Sequence, residues 1–274
     1  MTTNSTISAV VPTLNEAANL EYLLPTIAWC DEVIVVDQGS IDGTPEVAVA
    51  HGAQVLSVEW QPAFDACRKL GSSKASGQWI FQLDADEMVP AALAERLREL
   101  AQRTDIDIVA IPRLNYFQGP MPAGGLWPDV QYRFFRRDSV ELTAEVHRYL
   151  KLRSSRIFHV PPSSQEALHH FHYNSASHFV GKLDRYTDLE IEGEWAAVGQ
   201  PGARAFLWEP LRVFLSRYVK QSAFRYGWRG LWLSVFWTFY TYVRAVKAWE
   251  KHNLPGIKES EKERRNEILN QFTS

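Results

Sequence analysis

Five short apolar runs occupy the first 112 residues, each separated from the next by a stretch with helical spacing. The runs are Ile7 to Val11, Glu32 to Val36, Gln54 to Val58, Trp79 to Leu83 and Ile108 to Pro112. Between them, Asn19 to Trp29, Thr44 to His51, Phe64 to Ser76 and Ala91 to Gln102 carry apolar residues at helical intervals. Strands that are apolar throughout, rather than at every second residue, bury both faces. Alternating with helices, they form a parallel sheet covered on both sides. In such a sheet the ligand lies beyond the carboxyl ends of the strands.

Those ends hold the chemistry. WIFQLDADE, Trp79 to Glu87, is a strand running into two carboxylates one residue apart. In extended chain the residues i and i+2 share a side, so Asp84 and Asp86 can face one site. Magnesium or manganese takes one or two carboxylates together with substrate phosphates. Solvated acids at a strand end explain this segment alone about as well. In VVDQGSIDGT, Val35 to Thr44, a strand ends at Asp37 and Gly39 permits close backbone approach of a ligand. An ordinary turn capped by Asp42 and Thr44 is the simpler reading of that segment. In VVPTLNEAANL, Val10 to Leu20, a strand stops at Pro12 and is followed by Thr13, Asn15 and Glu16, where helix capping competes with ligand contact.

Together, in this order and spacing, the three segments resemble the family 2 glycosyltransferases, which have the GT-A nucleotide-sugar transferase fold. The resemblance implies nucleotide-sugar contacts from Pro12, Thr13, Asn15, Glu16, Asp37, Gly39, Arg68, Asp84 and Asp86. It also implies a divalent cation, Mn2+ or Mg2+, at Asp84 and Asp86, with Asp86 the direct ligand. RLNYFQGPMPAGGLWPDVQYRFFRR, EVHRYL and KLDRYTDLE further resemble bacterial lipopolysaccharide core β-1,4-glucosyltransferases. Two positions depart from many relatives: Arg68-Lys69 stands where they have Arg-Asn, and Val146-His147-Arg148 where they have Val-His-Glu. An inverting transfer needs a base for the acceptor proton, and the candidates are Glu145, His147 and Asp129. Arg133, Arg136 and Arg137 are candidates to neutralise a diphosphate or an anionic acceptor, with solvation of a strand edge equally open.

The implied activity is metal-dependent, inverting transfer of a hexose from a UDP-sugar to a cell-envelope glycan or glycolipid. A protein acceptor and a non-catalytic nucleotide-sugar-binding module are the alternatives. His169, His170 and His172 lie close together without a finger-like partner, so a loop histidine near the nucleotide, His172, which could also reach the cation at Asp84 and Asp86, is favoured over a zinc site. A net charge of −3 argues against nucleic-acid binding.

The sequence divides into a catalytic domain, 1–200, and an aromatic-rich helical extension, 201–274. Residues Gly, Pro and aromatic between Arg113 and Pro128 read as a loop crossing to an antiparallel edge strand at Gln131 to Arg136. His178 to Glu192 reads as a helix, Trp208 to Trp249 as one or two, and Lys258 to Arg265 as a solvated helix or frayed end. From Arg204 to Lys247 there are eight Lys/Arg against one acid, interleaved with aromatics, which suits a surface at lipid headgroups, with a helical pair packed on the catalytic domain or a dimer interface as the alternative. No uncharged run reaches the roughly 20 residues that span a bilayer. With two cysteines and no leader-like start, the expected location is the cytoplasm, peripherally on the inner membrane.

Overall fold

The computed structural model describes residues 5–60, 64–122, 127–142, 150–173, 175–192 and 200–270. They form two compact units, Met1–Asn174 and Ser175–Ser274. The expected boundary at residue 200 falls inside the second unit, between its first two helices.

The first unit is built on a nine-stranded sheet. Its parallel part comprises β1 (Ile7–Thr13), β2 (Glu32–Asp37), β3 (Gln54–Ser57) and β4 (Trp79–Gln82), in the order β3-β2-β1-β4. The crossovers are α1 (Ala17–Ile27), α2 (Thr44–Ala50) and α3 (Phe64–Lys74). A two-residue strand β5 (Glu87–Met88) and a helix α4 (Ala91–Ala101) follow, then β6 (Ile108–Phe117) and β7 (Asp129–Arg136). The remaining strands are β8 (Val140–Leu142), β9 (Leu150–Leu152), β10 (Ile157–His159) and β11 (Leu168–Tyr173). Beyond β4 the sheet continues as β7-β6-β11-β5, β10 also pairs with β6, and β8 with β9 forms a separate hairpin.

Period-two alternation sorts the core. Ile7, Ala9 and Val11 of β1 join Trp79 and Phe81 of β4 beneath the leucines of α1 and α4. Val10, Ile34, Val36 and Ile80 face the other way, toward Cys67 of α3 and Ala75 just beyond it. Here α3 lies so low that a Cβ on Gly71 would meet Val10 Cγ1 at 2.5 Å and Val36 Cγ2 at 2.9 Å. Both cysteines are free thiols, and burial pushes Cys30 up to about 12 and Cys67 up to about 11.

Two sequence expectations are corrected. Residues 113–117 are not loop: β6 runs on to Phe117 because β7 pairs with it as far as Arg113 and β11 from Arg113 onward. Nor is β7 an edge strand. It lies antiparallel between β4 and β6, with Phe134 and Phe135 buried on opposite faces.

The second unit contains α5 (Ala176–Glu192), α6 (Ala203–Leu215) and α7 (Trp228–Asn270). Between α6 and α7 come a π turn, Ser216–Lys220, and a 3-10 turn, Ala223–Tyr226, where Ser222 and Gly227 take positive φ. The aromatic stretch is thus two helices, and the charged tail continues the second.

Trp79 sits at the centre of the first unit. It is fully buried, donates Nε1–H to the Ala101 carbonyl at 3.1 Å and stacks on Phe134 at 4.7 Å. Trp79→Ala should cost about 3–5 kcal/mol of stability. Trp79→Phe should cost roughly 1–2 kcal/mol, mainly through the orphaned carbonyl. Urea denaturation followed by circular dichroism checks both.

Candidate active site

The carboxyl ends of β1 and β2 meet in register, Thr13 opposite Asp37. The loops that follow are laced together by side chains. Ile41 N–H donates to Asn15 Oδ1 at 2.9 Å, and Asn15 N–H donates to Ser40 Oγ at 2.7 Å. Glu16 N–H donates to Thr44 Oγ1 and Ala17 N–H to Asp42. Asn15 holds a φ of 56°, a left-handed conformation that Asn tolerates better than most residues. Asp37 is buried and accepts from the backbone of Gly39 and Ser40 and from the Thr13 hydroxyl. Gly39 has φ +82° and open space where a side chain would lie. Thr13, Asn15, Glu16, Asp37 and Gly39 therefore form one ledge, which begins where β1 passes Pro12.

Beyond β4, Asp84 and Asp86 take different partners. Asp84 binds Arg133 Nη2 at 2.7 Å and forms a closer ion pair with Arg68, and Arg113 lies at 3.9 Å. These arginines come from β7, α3 and β6. Burial pulls the Asp84 carboxyl upward, but the guanidiniums of Arg133, Arg68 and Arg113 outweigh it and hold the group well below the usual carboxylate range. Glu87 is completely buried; it accepts from the Asp84 N–H at 2.9 Å and pairs with Arg113 at 3.1 Å.

Asp86 is buried beside two imidazoles. His170 Nε2 lies 3.3 Å from Oδ1 and His172 Nδ1 lies 3.8 Å from Oδ2. One ligand atom from each of the three residues falls within 4.8 Å of the others. Cation–ligand bonds of about 2.1 Å place adjacent ligands roughly 3 Å apart, close to these spacings. The backbone fixes the approach, since Phe171 N–H donates to the Asp86 carbonyl at 2.8 Å. His170 and His172 share a face of β11 because they are two residues apart. The expected loop histidine is thus a strand residue. Its position follows from β11 adding to β6, with His170 opposite Asn115.

The next layer holds His170 Nδ1. Asn115 Nδ2 donates to Asp129 Oδ2 at 3.0 Å, which turns Asn115 Oδ1 toward His170 Nδ1 at 2.7 Å. Nδ1 therefore carries a hydrogen, and Nε2 faces Asp86, as an N–H donor in a charged ring or as a lone pair open to a cation in a neutral one. Among the described residues, Asp65, Asp84, Glu87 and Asp129 pair with Arg68, Arg113 and Arg133, and Asp86 with the two imidazoles.

Asp129 accepts from Arg113 Nε and Nη2, Asn115 and Gln131. A carboxylate so fully engaged is a weak proton acceptor. Glu145 and His147 lie outside the described residues. Arg136 pairs in register with Trp79, at the opposite end of β4 from Asp84, and Arg137 donates to the carbonyls of Ala75 and Gly77. Neither arginine reaches the site. Sequence reading assigned no role here to Glu87, Arg113 or Asn115, and weighed His170 only within a disfavoured zinc cluster. The His-x-His spacing of LHHFHY, read with strand periodicity, is the signal for the last of these.

The model of the glycosyl transferase family 2 matches residues 8–153, just over half of the chain. LpsC of Rhizobium meliloti, a lipopolysaccharide core biosynthesis glycosyltransferase, is 24% identical over 90% of this chain and 93% of its own. Glycosyltransferase GlyG of Streptococcus pneumoniae is 32% identical over 40% of each chain. Among solved structures, S. aureus TarS 1-349 aligns with a TM-score of 0.51 over 89% of both chains at 13% identity, a likeness of fold.

Asp129 gives the site a pH signature. Burial raises its pKa, but Arg113 and the hydrogen bonds from Asn115, Arg113 and Gln131 outweigh that and leave it depressed. Its contribution to stability is complete above the unfolded value of about 3.9 and is lost as pH falls through the folded value. Asp129→Asn should be less stable than the parent at pH 7, and the gap should narrow below about pH 4. Urea midpoints across pH 3–7 measure it.

Proposed function

The chain belongs to glycosyl transferase family 2, and from that premise we propose that it is a divalent-cation-dependent, inverting hexosyltransferase. It takes a nucleotide sugar, UDP-linked by preference, and serves a cell-envelope glycan such as lipopolysaccharide core. The observation that carries the cation is the cluster of Asp86, His170 and His172, with His170 Nδ1 held by Asn115. Two imidazoles beside one carboxylate weigh against magnesium, which wants oxygen ligands, and toward manganese. Similarity to LpsC along most of both chains supports the acceptor class.

In this reading the ledge of Thr13, Asn15, Asp37 and Gly39 holds the nucleoside, and Asp84 with its arginines positions the ribose side of the diphosphate. The acceptor hydroxyl attacks the anomeric carbon, the bond to the diphosphate breaks on the opposite face, and the hydroxyl proton passes to a base. Residues 143–149 supply that base, Glu145 or His147, since Asp129 is fully engaged. A cation at Asp86 would offset the negative charge that develops on the leaving diphosphate. An acceptor carried on lipid would be met at the inner-membrane surface.

The test is calorimetric titration with manganese and UDP, paired with an assay of UDP release from UDP-sugars. Asp86→Ala and His170→Ala should abolish metal-dependent UDP binding and turnover. Asn115→Ala leaves every ligand in place and should weaken manganese affinity by about 10–100-fold. Full binding and turnover in Asp86→Ala would overturn the metal assignment. Binding without turnover, or even hydrolysis, in the parent would favour a non-catalytic sugar-nucleotide module.

A further inference from the structure

The second unit exposes an aromatic seam along α7. Along α7, Trp228, Trp232, Val235, Phe239 and Tyr242 recur at intervals of four, three, four and three, which places them on one side of the helix. All five are exposed, Trp228 at 75% and Trp232 at 53%. The seam has a definite end, because the same spacing beyond Trp249 meets Asn253, Gly256, Ser260 and Glu263. Its amino-terminal end adjoins the turn from α6, where Phe224 is also exposed.

Charge singles out the same end. From Pro210 to Trp249 there are seven Lys/Arg and no acid. The bases far from the turn are paired: Arg244 with Glu190, Lys247 with Asp184 and Asp188, and Arg212 with Glu209. Arg217 lies over the Trp237 ring at 4.5 Å. At the turn itself, Lys220 and Arg225 are exposed and have no carboxylate partner among the described residues. Unmatched positive charge therefore sits where Trp228 and Phe224 protrude. A second copy of the chain would bring the same bases against these. An anionic surface complements them, and tryptophan and phenylalanine are the side chains that settle at headgroup depth.

We infer that the α6–α7 turn and the aromatic seam of α7 dock in the plane of an anionic phospholipid bilayer. The helix lies along the surface: no helix of the described residues is long and apolar enough to cross it. Docking needs neither metal nor donor, so it stands or falls apart from the catalytic reading.

Flotation of the full chain with phosphatidylcholine vesicles, with and without about a third phosphatidylglycerol, is the test. Binding should require the anionic lipid and weaken as salt is raised. Tryptophan emission should shift to the blue on binding. Lys220→Ser with Arg225→Ser should weaken vesicle binding about 30-fold, at roughly fivefold per base. Trp228→Ser with Trp232→Ser should lose the blue shift and most of the binding, with the circular dichroism of the parent retained. The contrast between the two vesicle types in the parent decides the matter even if a variant fails to fold. Equal binding to both vesicles, or to neither, overturns the proposal. So does a dimer in light scattering that Trp232→Ser disperses, which would assign the seam to a second copy.

Discussion

Carboxylates gathered at the end of β4 can be buried there only because arginines from three other elements come to meet them. Taking an ion out of water costs several kcal/mol unless it is paired and hydrogen-bonded. Asp84 recovers that cost from Arg68 of α3, Arg113 of β6 and Arg133 of β7. The pairing therefore fixes more than one side chain. It ties the helix on one face of the sheet to the two strands added beyond β4. Inserting β7 antiparallel between β4 and β6 is what brings Arg133 alongside. The fold and the charge balance of the site are one problem, solved together.

Strand periodicity then divides the labour on β11. His170 and His172 turn toward Asp86, while His169 bonds the Tyr116 hydroxyl and the Ser164 carbonyl. Phe171, between the two imidazoles in sequence, stacks on Tyr116 at 4.4 Å. One strand thus presents two imidazoles on one side and an aromatic surface on the other. Asn115, on the neighbouring strand, joins the imidazole to Asp129 and through it to Arg113. A displacement of β11 by one residue would exchange the two faces.

The sequence made the parallel half of the sheet readable because each strand there is a local apolar run between breakers, and local patterns survive without tertiary knowledge. The two acids after β4 were readable for the same reason. Their separate fates were not, since the partners of Asp84 lie at positions 68, 113 and 133 and those of Asp86 at 170 and 172. β6 beyond Pro112 looked like loop because Arg113, Asn115 and Tyr116 interrupt the apolar pattern. Arg113 and Asn115 are polar because they line the site, while Tyr116 faces His169 and Phe171. Strands β5 and β8 to β10 span only two or three residues, too few for any period to emerge.

Gly71 shows how far the site extends into plain packing. It lies one helical turn from Arg68 on α3, at the point where that helix nearly touches Val10 and Val36. The missing side chain sets the height of α3 above the sheet, and with it the reach of a guanidinium toward Asp84. A methyl group there would act as a shim, raising the helix and lengthening an ion pair it never touches. The electrostatic setting of the centre is thus governed in part by an atom the chain leaves out.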